Sequence, residues 1–290
     1  MKNVIFDMET QDPDDFLTLC WLASHPKINL VGVTVTPGTQ EQIGIVVQIF
    51  QKLGKEKPLI GGYDPLRIEG CVSEFHYNLF VKKQSSPDDI GARILKLCLV
   101  EYPDATLLTG GPLKNLHQFL TFPESKINHW VCQGGFAGIN VVKPEHVLSK
   151  FAGRETCPTF NFNGDPQGAL LALSSKQISQ RTLVSKNVCH GISYTQEFHE
   201  EFKPHKDRNS GMNLIYSAME IYLKRHPKGK MLHDPLAACV MMNPDICTFE
   251  EVEVYRLKGE WGSRKATNTK TKISVAVDFS KFKESFIYQK

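Results

Sequence analysis

The chain carries little net charge. Its 34 Lys and Arg stand against 31 Asp and Glu, a formal +3 over 290 residues. No basic run is long enough to track a phosphate backbone, so nucleic acid has no electrostatic support as a partner. No apolar run is long enough to cross a bilayer. The chain opens on a strand-like run rather than on a basic segment followed by an apolar leader. A soluble, cytoplasmic protein with no membrane partner is the expectation. Eight cysteines are scattered along the chain, at positions 20, 71, 98, 132, 157, 189, 239 and 247, with no Cys-x-x-Cys pair among them. That predicts reduced, mostly buried thiols rather than a disulfide frame or a zinc site. Repeats, low-complexity tracts and linkers are also missing, and 41% apolar content is ample for a core. Residues 1–290 are therefore read as a single domain.

What stands out instead is the stretch from Asn3 to Asp15. Val4, Ile5 and Phe6 form a short apolar run that predicts a buried strand. The run ends in Asp7, and Glu9, Asp12, Asp14 and Asp15 follow. An apolar helical pattern, Phe16 to Ala23, comes next. The acids thus sit where a first strand hands over to a first helix. In open α/β sheets the ligand crevice lies outside the carboxyl ends of the strands. Carboxylates packed at such a point repel one another unless a cation binds them, and hard ions such as Ca²⁺ or Mg²⁺ prefer oxygen clusters. Helix capping explains Asp12, Asp14 and Asp15 on its own terms. It does not explain Asp7 and Glu9 at the strand end.

Strand and helix signals then alternate. Asn29–Thr36 is a β-branched run, Gln40–Leu53 an amphipathic helix, and Pro58–Gly62 a short strand. Residues 63–90 give no clear signal, and Ile90–Val100 reads as helix. Ala105–Thr109 is a strand that turns through Gly110 and Gly111 into a helix, and Trp130–Gln133 is another ending at Gly134 and Gly135. Residues 136–158 read as a long loop, Gly164-Asp165-Pro166 as a helix start, Arg181–Val184 as a strand, and 193–228 mainly as helix. Met231–Val240 reads as a helix opening with His233 and Asp234. Glu251–Leu257 and Lys272–Val277 alternate and predict an exposed antiparallel edge hairpin. The βαβ alternation predicts an α/β fold, with a mostly parallel twisted sheet and helices on both faces.

If these elements meet at one sheet edge, Asp234 joins Asp15 and a backbone carbonyl around a Ca²⁺-type ion. His233 beside it can exchange a proton near neutral pH. Alone, a His-Asp pair at a helix start is ordinary capping. His190, Tyr194, Trp261, Cys132 and Cys189 read as structural, because neither cysteine has a visible histidine partner.

The ordered motifs resemble one family, the inosine–uridine-type nucleoside hydrolases. These open with a strand and Asp-x-Asp-x-x-x-Asp-Asp before the first helix. Gly110-Gly-Pro-Leu-Lys-Asn115 resembles the family's Gly-Pro-Leu-Thr-Asn turn. Gln133-Gly-Gly135 with Gly138-Ile-Asn140 resembles its Met-Gly-Gly…Gly-Asn segment. Thr159-Phe-Asn161 with Asp165-Pro166 resembles Glu-Phe-Asn…Asp-Pro, and His233-Asp234-Pro-Leu-Ala237 resembles His-Asp-Ala-Leu-Ala. The resemblance spans nearly the whole chain. It implies a nucleoside-hydrolase-like single domain with one Ca²⁺ per subunit. A water on that ion attacks C1′ of a ribonucleoside, and base and ribose are released. The implied metal set is Asp7 as the supporting acid, Glu9 or Asp12, Asp15, Asp234 and the carbonyl of Thr109 or Gly110. Asp14 is implied to bind a ribose hydroxyl, with Asn140, Asn161, His76 and His233 as further substrate contacts. Glu9, Asp14 and His233 are the implied catalytic groups. A small nucleoside-like substrate and a homodimer or homotetramer go with the resemblance.

The departures are local. The family's second acid is Glu9 here, one residue is inserted before Asp14, and Asp12 lies inside that insertion. By position Glu9 is preferred as metal ligand and base. The family's Glu before Phe-Asn is Thr159, an asparagine after the second strand is Thr39, and the glycine pair follows Gln133. A second reading follows: a family member that binds nucleoside or ribose without turnover. A third takes Asp7-Met-Glu-Thr10 as the start of a haloacid-dehalogenase-type phosphatase. That needs an Asp two residues on, where Glu9 stands.

Overall fold

The computed structural model describes residues 1–68 and 70–289. Its strands are β1 (Lys2–Met8), β2 (Ile28–Val35), β3 (Leu59–Gly62), β4 (Asp89–Ile90), β5 (Thr106–Thr109), β6 (Ile127–Gln133), β7 (Thr156–Cys157), β8 (Ile178–Val184), β9 (Ser193–Tyr194), β10 (Lys230–Met231), β11 (Cys247–Leu257), β12 (Glu260–Lys265) and β13 (Thr271–Val277). Eleven of them form one sheet, in the order β4-β3-β2-β1-β5-β6-β8-β13-β11-β12-β7. From β4 through β13 every neighbour pair is parallel. The expected mostly parallel sheet is what forms.

β1 lies inside the sheet, paired to β2 on one edge and β5 on the other. A strand with no free edge and both faces covered reads as a continuous apolar run. Its alternate residues serve two cores: Val4 and Phe6 join one apolar cluster, while Ile5 joins the other. Helix α1 (Pro13–Ser24) follows at once, with Pro13 in its first turn. It is buried almost all round. Such a helix belongs to an interior layer. Helix α2 (Gln40–Leu53) starts with a capping box of Thr39 and Gln42 and ends on left-handed Gly54. Thr39 is thereby occupied with its own helix.

The other helices are α3 (Glu74–Tyr77), α4 (Gly91–Glu101), α5 (Lys114–Leu120), α6 (Phe160–Gly164), α7 (Pro166–Ser174), α8 (Lys186–Cys189), α9 (Gln196–Phe202), α10 (Ser210–Arg225), α11 (His233–Met242) and α12 (Phe279–Tyr288). None among the described residues is long and apolar enough to cross a membrane. The helical stretch expected over 193–228 is broken. A 3₁₀ turn, Lys203–Arg208, separates α9 from α10, whose start is capped by the Asn209 side chain. The long loop over 136–158 holds two 3₁₀ turns and the short strand β7.

The C-terminal hairpin needs correction. β11 and β13 do pair antiparallel, Glu251 opposite Lys272. Yet the hairpin partner of β11 is β12, through a two-residue turn at Lys258 (φ 50°) and Gly259 (φ 86°). Two positive φ values in succession suit the tight turn that joins twisted strands. β13 runs parallel to β8 inside the sheet instead of along an edge.

Candidate active site

The parallel register sets Asp7 opposite Thr34 on one neighbour and Thr109 on the other. Asp7 is wholly buried. Its Oδ1 accepts from the Thr34 hydroxyl at 2.5 Å and from the Asn115 amide at 2.8 Å. Asn115 donates also to the Val35 carbonyl at 3.2 Å, so one amide ties α5 to the ends of β1 and β2. Oδ2 of Asp7 has no partner. Burial pushes this carboxyl up to about 7 in spite of the two bonds.

Beyond the strand ends lies a cavity of about 360 Å³. Glu9, Asp12, Asp14, Asp15 and Asp234 all line it, and so do Gly110, Gln133, Asn161 and His233. Asp7 does not: it stands behind the acids and fixes the strand ends. Asp14, Asp15 and Asp234 are buried, and one carboxylate oxygen from each lies within 4.8 Å of the others. Two elements produce this meeting. α1 presents Asp14 and Asp15 in its first turn, and α11 presents Asp234 in its own. Oδ2 of Asp14 accepts the backbone N–H of His233 at 3.1 Å and of Asp234 at 3.3 Å. One helix start thus caps the other. Gly110 makes room for Asp234: a Cβ there would sit 2.7 Å from the Asp234 carboxyl carbon.

The inserted loop is anchored rather than loose. Thr10 donates its hydroxyl to the Cys71 carbonyl at 2.8 Å and accepts from the Gln42 amide at 3.0 Å. The Glu9 N–H donates to Asp15 Oδ1 at 3.0 Å, and Glu9 Oε2 accepts the Gln11 N–H at 3.1 Å. Asp12 turns toward Lys230, whose Nζ is 2.7 Å from Asp12 Oδ1 and 3.5 Å from Asp14 Oδ1. Lys230 is buried and belongs to β10, which pairs with β9 and so holds the ammonium over the loop. Burial pulls this ammonium down, but Asp14 and Asp12 outweigh it and its pKa is raised. Nothing in the sequence reading singled out Lys230. The signal available was a lysine in an apolar run just ahead of His233-Asp234.

Comparison with known proteins gives the family of the chain. The pattern of the inosine-uridine preferring nucleoside hydrolases matches residues 4–284. The chain belongs to that family. An uncharacterized protein of Aquifex aeolicus (strain VF5) is 32% identical over 290 residues, covering 95% of this chain and 94% of the other. An inosine-uridine preferring nucleoside hydrolase from Bacillus anthracis superposes with a TM-score of 0.74 at 18% identity, covering 100% and 98% of the two chains. A plant nucleoside hydrolase gives 0.74 at 18% over 99% of both. At those identities the solved structures share the fold.

Within this nucleoside hydrolase fold, Asn161 sits in the cavity with its amide nitrogen held by the wall. Nδ2 reaches the Gly110 carbonyl at 2.7 Å, the Gln133 carbonyl at 3.0 Å and Gln133 Oε1 at 2.8 Å. It joins the ends of β5 and β6. His233 holds Nδ1 3.6 Å from Asp14 Oδ2, and its buried Nε2 has no partner. Burial and Lys230 press its pKa down to about 4, so the ring is neutral at pH 7. Two other expected contacts, Asn140 and His76, lie elsewhere. Asn140 is exposed, outside the cavity lining, and donates to the Ser263 carbonyl at 2.7 Å. His76 is buried beside Phe16 and Phe75, with Nδ1 on the Ser73 hydroxyl at 3.0 Å. Thr109 ends β5, and its hydroxyl accepts from Trp130 Nε1 at 2.9 Å.

The acids suit a hard divalent ion. Asp234 Oδ1 is buried without a partner, and Asp15 keeps lone pairs beyond the single bond from Glu9. Asp14 is less free, since two N–H groups and Lys230 already face it. Burial, then the neighbouring acids, pushes Asp15 and Asp234 well above the usual carboxylate range. Burial pushes Glu9 up to about 8. A cation would reverse these shifts.

A pH signature follows. Unfolded carboxyls titrate near 4, but Asp7 and Glu9 do so at about 7 and about 8 in the metal-free fold. The folded state therefore binds protons that the unfolded chain releases. Stability from these groups is full below about pH 4 and drains as pH rises through about 7–8. Metal-free protein is expected to melt lower at pH 8 than at pH 5. Ca²⁺ is expected to raise the melting point at pH 8 and to do little at pH 5. At a hundredfold excess over its Kd the ion adds about 2.7 kcal/mol, a rise on the order of 5 °C. Melting curves with Ca²⁺ and with chelator check this; a metal-free melting point that climbs from pH 5 to pH 8 contradicts it.

Proposed function

We propose that the protein is a Ca²⁺-dependent hydrolase of the N-glycosidic bond in a ribonucleoside or related N-riboside, giving base and ribose. The observation that carries this reading is the buried Asp14–Asp15–Asp234 group sharing one cavity with Glu9, Asn161 and His233. Asp15 and Asp234 would hold the ion, with Glu9 and the carbonyl of Thr109 or Gly110 as further oxygen donors. When bound, the ion lowers the pKa of a water and fixes it beside the sugar.

The chain's own groups supply the rest. Glu9, ionised once a cation offsets the effect of burial, takes the proton of the attacking water. Asp14 accepts a ribose hydroxyl. Its carboxylate, held by two helix-start N–H groups, cannot swing away. Asn161 is rigid through its amide and turns its carbonyl oxygen to the sugar. His233, neutral as it stands, offers Nε2 to the substrate and gives the leaving side a hydrogen bond rather than a proton. The acids that surround C1′ favour the positive charge that grows on the sugar as the bond breaks. Such an enzyme serves purine or pyrimidine salvage in the cytoplasm, as a homodimer or homotetramer acting on small molecules.

Incubation with purified ribonucleosides and Ca²⁺ tests the reading. Equal amounts of free base and reducing sugar are expected, with no need for phosphate. The second reading, a binding protein without turnover, is favoured by the altered Glu9 loop. Ribose and Ca²⁺ raising the melting point with no sugar released from any N-riboside would establish it and overturn the first.

A further inference from the structure

Two lysines lie just outside the part of the cavity wall that carries Gln133, Phe160 and His233. They belong to the turn Ser149–Phe151 and the short helix α8. Lys150 Nζ donates to His190 Nδ1. The His190 ring lies 5.1 Å from that of His233, which lines the cavity. Lys186 Nζ donates to the Pro158 carbonyl at 2.8 Å, just ahead of Thr159 and the cavity-lining Phe160. Helix α8 meets the cavity wall again where the Gln133 amide donates to the Cys189 thiol at 3.4 Å. Both ammonium groups therefore border the wall that carries Gln133, Phe160 and His233.

This wall is short of negative charge. Lys230, nearby, is satisfied by Asp12 and Asp14. Lys150 and Lys186 have no carboxylate within salt-bridge distance among the described residues. Burial and the Lys186 charge push the Lys150 pKa down. Burial, then His233 and Lys150, presses His190 down to about 3, so its neutral ring can accept from Lys150 and aim it. Between Pro158 and Phe160, Thr159 is only 3% exposed and its hydroxyl has no partner. A buried hydroxyl without a partner is unfavourable until something completes its bonding.

We infer that Lys150 and Lys186 receive a compact anion on the substrate, so that the N-riboside carries a phosphate or a carboxylate at the end away from the acids. Ammonium donors bind such oxygens through charge-assisted bonds, and neutral nucleosides leave the wall unpaired. The inference rests on the hydrolase reading above for the placement of the sugar, but its test does not depend on turnover.

Calorimetric titration of the Ca²⁺-loaded protein provides that test. Ribose is compared with ribose 5-phosphate, and uridine with orotidine, whose base bears a carboxylate. The anionic member of one pair is expected to bind at least about tenfold more tightly, and the pair that shows it identifies the source of the anion. Lys150→Ala and Lys186→Ala are each expected to cut that preference about tenfold, and Lys150→Arg to keep most of it. Melting curves establish that each variant is folded. No preference in either pair, or a preference untouched by both alanine variants, overturns the inference. A lysine-dependent preference with no riboside hydrolysed would remove the hydrolase reading and leave the anion site standing. Hydrolysis of neutral and anionic ribosides at equal kcat/KM would do the reverse.

Discussion

Asp15→Asn is expected to abolish the Ca²⁺-dependent rise in melting point and to lower kcat/KM by about 10³-fold or more. A bound ion contributes several kcal/mol of transition-state stabilisation, and each 1.36 kcal/mol is about tenfold in rate. Asparagine keeps an oxygen to accept the Glu9 N–H now bonded at 3.0 Å, so the loop stays in place. It also removes a buried carboxyl whose pKa burial drives well up. The metal-free variant should therefore melt no lower than wild type at pH 8. Loss of activity with an undiminished Ca²⁺ shift would move the ion to other ligands. A variant that melts lower at pH 8 would give Asp15 a structural role instead.

The second large effect separates the two acids of the altered loop. Glu9→Gln is expected to lower kcat by about 10²–10⁴-fold, the usual worth of a general base. Asp12→Asn is expected to cost no more than about tenfold. The geometry gives the reason. Glu9 is 7% exposed and bent over its own turn inside the cavity. Asp12 points at Lys230, 2.7 Å away, with 41% of its side chain exposed. Losing Asp12 leaves Lys230 with Asp14 at 3.5 Å, so the cation keeps a partner. Steady-state kinetics on both variants decide the matter, and the opposite ranking would transfer the base to Asp12.

Much of this was legible because the chemistry sits at strand ends and helix starts, where short runs speak plainly. Val4-Ile5-Phe6 followed by acids, two glycines after Thr109, and His233-Asp234 at a helix start each announce an element and its end. The parallel order of the sheet then brings them together. Other features depend on partners far along the chain, which local patterns do not carry. Asp12 meets Lys230 and Asp14 meets the start of α11 only once the sheet has closed. A lysine in the run Gly229-Lys-Met-Leu232 carries no sign that two acids will bury it. Asn140 matches its motif in order and His76 was expected to touch the substrate, yet Asn140 bonds a strand backbone and His76 is packed among aromatic rings. β12 went unread because its alternation is weak: Trp261, Gly262 and Ser263 are all buried in succession.

The central claim is that the buried acids hold a divalent ion that turnover of an N-riboside requires. Reducing-sugar release from a panel of neutral and anionic ribonucleosides tests it most directly, measured on protein stripped with chelator and again after Ca²⁺ is restored. The account predicts no release without metal, release on readdition, and none from the Asp15→Asn variant under either condition. Release that persists in the stripped protein, or is equal in Asp15→Asn, would contradict it.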